Sequence, residues 1–244
     1  MSKHLKFFLT HLSLSILIAL VAMSVVFFLW YPTPLEKAVG VTHIFLMMLA
    51  IDVIVGPILG FLVYKEGKKS LKFDLAVIIL IQLSAFFYGF YNIAQGRPVY
   101  IAYIVDRFEL VRNNDLIINK KDKILSQYQQ SSFAQPRFVA VELAKNINER
   151  NQDLFNEVLG GVTLAQQPKR YVDFGQAKAQ ILQKAQDLKL LNQFNNQQVV
   201  ANILNQYPTA NAWVPLKANA VDMVVLLNKN TGKVVKIVDL RPWK

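Results

Sequence analysis

The chain contains no cysteine. That removes thiolate catalysis, cysteine-ligated zinc, iron–sulfur clusters and any disulfide framework. Histidine is nearly as scarce: His4, His11 and His43 are the only three. Neither a Ser-His-Asp triad nor a histidine-ligated metal site can be assembled from the residues that follow them. Charge is sparse at 18%, and acids are the scarcer sign, 16 against 27 Lys and Arg. Gly160-Gly161 is an isolated pair with no phosphate-cradling loop around it, and no internal repeat is present. The acids Asp106, Glu109, Asp115, Asp122, Asp173 and Asp222 sit beside turns or strand ends, where solvation or capping accounts for them. No catalytic residue, cofactor or metal is expected from these patterns.

What the chain has instead is apolar sequence, 53% of its 244 residues. Three uninterrupted stretches, 7–30, 41–64 and 75–91, each approach the ~20 residues that a helix needs to cross a ~30 Å hydrocarbon layer. They exclude a wholly cytosolic enzyme. The first is too long for the ~7–15-residue core of a cleavable signal peptide, and Trp30, Tyr31 and Pro32 stand where cleavage would need small side chains. It reads as a retained span with an aromatic interfacial end.

Lysine sets the expected orientation. Lys3 and Lys6 precede the first stretch, and Lys65, Lys68, Lys69 and Lys72 face only Glu66 in the connection between the second and third. The connection 32–40 holds just Lys37 and Glu36. Basic excess marks the cytoplasmic side. An odd number of crossings then puts everything after about Gln95 on the opposite face, which in a bacterial inner membrane is the periplasm. The expected organisation is a membrane region, 1–96, and an extracytoplasmic domain, 97–244.

Asp52 lies midway along the second stretch, where burying a carboxylate costs about 2.5–3.5 kcal/mol on insertion scales, so it must face protein or water. Asp52, Gly56 and Gly60 recur every four residues and share one helical face, with Gly56 and Gly60 offering a close-approach surface. Pro57 lacks an N–H and frees the carbonyl of Val53 beside them. Asp52, Gly56, Pro57 and Gly60 are the candidate partner-binding residues. Two readings stay open: this face docks a partner's transmembrane helix, or it packs on the chain's own third span through Gln82, Ser84 and Gly89.

After residue 96 the chain carries 20 Lys and Arg against 12 Asp and Glu, spread along its length without the basic patch and stacking aromatics of a nucleic-acid module. β-branched and aromatic runs predict strands over 99–105, 108–111 and 137–143. A helix is expected over 144–159, stopped by Gly160-Gly161, and an amphipathic helix over 174–191. Thirteen Asn and Gln within 176–206 favour a solvated helical layer over a site, since amides are poor acids and bases. Runs 221–228 and 233–240, joined by Lys229-Asn230-Thr231-Gly232, predict a hairpin. The expected fold class is a membrane protein: three N-terminal transmembrane helices, then a small α+β domain with an antiparallel sheet covered on one face by helices.

Two blocks carry a resemblance. The first is Asp52-Val53-Ile54-Val55-Gly56-Pro57-Ile58-Leu59, Tyr64-Lys65, Lys68-Lys69-Ser70-Leu71-Lys72-Phe73-Asp74-Leu75, Gln82, Tyr88-Gly89, and Arg97-Pro98-Val99-Tyr100 with Asp106-Arg107-Phe108. The second is Trp213-Val214-Pro215-Leu216, the hairpin, and Pro242-Trp243. Together they resemble the TfpX/TfpZ family of type IV pilin accessory proteins. The resemblance implies a multi-pass inner-membrane helper, not itself an enzyme, that supports assembly or surface display of type IV pili. It implies the type IV major pilin as partner, with other pilus assembly membrane proteins possible and the lipid bilayer as surroundings. It carries over no site residues. A rival reading, a membrane-anchored sensor or transporter component binding a small anion outside, needs an output module, yet the expected cytoplasmic parts are a short N-terminus and one short loop. An enzyme modifying pilin finds no acid cluster or metal ligands to work with.

Overall fold

A computed structural model describes residues 2–244. Three long helices come first. α1 (Lys3–Ser24) is capped by the Ser2 hydroxyl accepting from the Leu5 N–H and continues as a π-helical turn through Val25–Trp30. α3 (Val41–Val63) and α4 (Leu71–Gln95) follow, and all three are long and apolar enough to cross a membrane. Large apolar side chains such as Leu17, Ile44, Leu62 and Leu80 point outward from them, more than half exposed. Such an outer surface suits lipid better than water. Lys3 pairs with Glu66 at 3.6 Å, and His4 stacks on Phe61 and Tyr64. The N-terminus and the lysine-rich connection therefore share one end of the helices, and the sheet occupies the other.

Between α1 and α3, the short helix α2 (Leu35–Val39) does more than connect. Leu35 and Ala38 are buried in the core of the sheet, and the Ala38 carbonyl accepts the N–H groups of Ala220 and Val221 at 2.9 and 3.2 Å. Gly40 ends α2 at φ 81°, with Ala220 so close that an added Cβ would lie 2.9 Å from its methyl carbon. Only glycine satisfies both the left-handed backbone and that approach.

The sheet has seven strands: β1 (Pro98–Ile104), β2 (Arg107–Arg112), β3 (Arg137–Val141), β4 (Tyr171–Val172), β5 (Ala212–Lys217), β6 (Met223–Asn228) and β7 (Lys233–Val238), in the order β4-β3-β1-β2-β5-β6-β7. It is mixed, which corrects the antiparallel expectation. β1 runs parallel to β3, and β2 parallel to β5 with Phe108 opposite Leu216. The cause lies in the connections. Hairpins make antiparallel neighbours, whereas the segment between β2 and β3 is long enough to cross over and lay β3 along the free edge of β1. The expected hairpin is β6–β7, with Gly232 at φ 70° in its turn.

Both faces of the sheet are covered, not one. Ile101, Tyr103, Val214, Leu216, Val225 and Leu227 meet α2 and α6 (Lys178–Lys184) on one side. On the other, Tyr100, Ala102 and Val139 meet Tyr128 and Ala165, while Trp213, Val224 and Leu226 meet Leu191 and α7 (Gln197–Asn205). Burial on both faces explains why β1 and β6 read as continuous apolar runs without alternation. The helix expected over 144–159 is α5 (Ile147–Gly160), ended by Gly161 at φ 63°. The one expected over 174–191 is broken. Gln186 forms a two-hydrogen-bond bridge with Trp213, and Asp187 caps a new turn over Leu188–Gln193.

Candidate functional site

The polar interior of the three helices is built around Gln82 on α4. Its Nε2 donates to the Asp52 carbonyl at 2.8 Å and to Ser15 Oγ at 3.3 Å, and its Oε1 accepts from His11 Nε2 at 3.1 Å. One side chain thus ties α1, α3 and α4 together through hydrogen bonds between helices. Its place is made by Gly56: any Cβ there would collide with the Gln82 amide. One turn on, an added Cβ at Gly60 would meet Phe7 at 3.0 Å and His11 at 3.3 Å. Pro57 is buried within α3. Gly89 admits Met48 of α3 in the same way.

Among the candidate residues, then, Gly56 and Gly60 stand on one line, Gly56 against α4 and Gly60 against α1. Gln82 and Gly89 supply contacts to α3 as the sequence pattern allowed; His11, Ser15 and Phe7 were not foreseen. Asp52 borders two spaces. One is a cavity of about 30 Å³ between the helices, shared with Ser15, Leu49, Val53 and Phe86, large enough for a single water. The carboxylate Oδ2 is buried beside it without a hydrogen-bond partner among the described residues. The other is a groove of about 190 Å³ on the outside, between α3 and α4, with Ile51, Val55, Leu59, Ile78 and Ile81 as walls and Asp52, Gly56 and Gln82 toward its floor.

A second set of residues fixes the sheet to the helices. Tyr31 is 1% exposed and donates its hydroxyl to the Ile93 carbonyl at 2.7 Å. Arg97 donates to the Ala94 carbonyl at 2.6 Å and to the Ser132 carbonyl at 3.1 Å, and burial pulls its guanidinium below the usual arginine range. Trp30 packs on Phe90 at 4.9 Å and on Phe133 at 6.2 Å between ring centres. Beyond them, Arg137 lies over Tyr100, which meets Tyr171 edge-on. At the far end of β1, burial pushes the Tyr103 hydroxyl up to about 12, and it donates at 3.0 Å to the carbonyl of Val105, whose φ is 54°. That backbone is uncommon for a β-branched residue. In the closing segment, Trp213 donates to the Asp187 carbonyl at 2.9 Å and Trp243 to Asp222 Oδ2 at 2.7 Å. These contacts give Arg97, Tyr100, Trp213 and Trp243 of the two blocks structural roles. Among the described residues no group of three or more His, Asp or Glu stands ready to hold a metal ion.

Three apolar helices thus bear a mixed sheet at one end, with Gln82, His11, Ser15 and Asp52 set among small and apolar residues between them. The family of the fimbrial assembly protein FimB matches residues 1–40. Fimbrial assembly proteins of Dichelobacter nodosus from serogroups I and E1 are each 31% identical to this chain, over 229 and 231 residues, covering 90% of it and 89% of each relative. That of serogroups C1 and C2 is 37% identical over 112 residues, 45% of this chain and 86% of the relative. The chain belongs to this fimbrial assembly protein family. No solved structure matches it.

Proposed function

We propose that the protein is a non-enzymatic inner-membrane accessory factor of the TfpX/TfpZ kind, which holds a type IV major pilin in the membrane and promotes its assembly into, or display on, a pilus. The observation that carries this is family membership across nine-tenths of the chain, joined to three membrane-length helices. Residues 1–96 form the membrane region in this reading and 97–244 the periplasmic domain, with the lysine-rich end of the helices in the cytoplasm.

The pilin helix lies along the outer groove between α3 and α4. Asp52 and Gly56 meet it at the groove floor, while Pro57 and Gly60 hold α3 against its neighbours and so fix the groove wall. Contact at two levels, helix in the groove and pilin head against the outer domain, raises effective concentration even where each contact is weak.

In-cell photocrosslinking tests this. Probes at Val55 and Ile81, on the groove walls, are expected to capture the major pilin, and a probe at Leu17, on the exposed side of α1, is not. Recovery of pilin from neither groove position, or equally from all three, overturns the assignment of the groove.

A further inference from the structure

We propose that α5 is a self-association surface: two copies of this chain pair antiparallel through its outward face, about a twofold axis close to Leu154. α5 is amphipathic but mounted inside out. Arg170, 18% exposed, reaches Asp153 Oδ2 at 3.1 Å and Glu149 Oε2 at 3.6 Å, so the acidic side is drawn toward the sheet. Ile147, Leu154, Phe155, Val158 and Leu159 consequently face away, each between 54% and 77% exposed, and no residue of the helix is buried. An apolar helical face of this length left open marks a contact surface.

The charges beside that face select the occupant. Arg150 and Glu157 are seven residues apart, so they lie within about 20° of each other around the helix axis, along one flank of the apolar stripe. Neither makes an ion pair among the described residues. An antiparallel twofold keeps a flank on the same side while reversing its direction. It therefore sets Arg150 of one copy against Glu157 of the other, twice, with the axis midway between them beside Leu154. Ile147 of each copy then meets the Val158–Leu159 end of its mate. A lipid surface fits less well, because Glu149, Asp153 and Glu157 outnumber Arg150 along this helix and anionic headgroups favour basic ones. The inference stands apart from the groove between α3 and α4 and from any pilin bound there.

The natural absence of cysteine makes the test clean. In the full chain in membranes, Leu154→Cys under mild oxidation is expected to give a disulfide-linked dimer. Gln152→Cys, exposed but turned about 160° from Leu154 around the axis, is expected to give none. By sedimentation in detergent, Arg150→Glu is expected to weaken self-association roughly tenfold, and adding Glu157→Arg to restore it. These changes are at exposed positions and leave the fold intact, which a thermal melt checks. A thiol at position 154 that stays unlinked or joins a different protein overturns the proposal, as does a double charge reversal no better than the single one.

Discussion

Gln82 makes three hydrogen bonds between helices, both donors and one acceptor site used, and Gly56 is what lets it do so. The amide reaches Asp52, Ser15 and His11 only because no side chain stands at position 56. Gly56→Val is therefore expected to destabilise the helices by about 1–3 kcal/mol through overpacking. The check is the thermal midpoint of the detergent-solubilised protein, with Gln82→Ala in the same chain recovering part of the loss. The Asp52-Gly56-Gly60 line was legible in the sequence because four-residue spacing is local, and Gln82 was visible as one of few polar side chains in the third stretch. His11, Ser15 and Phe7 were not. A helix that is apolar all round gives no periodic sign of which side meets its neighbours.

Elements whose pairing is decided by nearby residues were readable; those decided by distant ones were not. β1, β2, β3, α5 and the β6–β7 hairpin all follow from runs of strand formers, a helix-ending glycine or turn residues. β5 hides behind Pro215, which reads as a strand breaker, although the strand is paired on both sides. The break in 174–191 depends on Gln186 meeting Trp213, about 27 residues away, and no local propensity encodes that bridge. α2 is the largest omission: five residues between two spans look like a loop until the sheet they enter is known. Leu35, 3% exposed in the sheet core, makes this element testable. Leu35→Ala is expected to cost about 2–5 kcal/mol and to open the sheet to protease before the helices loosen. Limited proteolysis in detergent, followed fragment by fragment, measures the order of events.

At the scale of the whole molecule, the two ends differ in charge and in structure. Lys65, Lys68, Lys69 and Lys72 gather with the N-terminus at one end, while the sheet, α2 and the carboxyl-terminal Trp243 lie at the other. A periplasmic phosphatase fused after Lys244 is expected to be active, and the same enzyme fused within 65–70 inactive; the reverse pattern would invert the proposed orientation. The three apolar stretches and the odd number of helices were enough to place the lysine-rich connection and the sheet at opposite ends. The sheet's mixed order was not, since parallel neighbours are joined by long crossovers with no short-range signature.

The chain enters the sheet twice from the helices, once through α2 and once through Arg97-Pro98. A body hung from one strand of chain can swivel about it, but one tied at two separate points cannot turn about either alone. A tilt of α1 and α3 against α4 therefore either strains α2 and Arg97-Pro98 or carries the sheet with it.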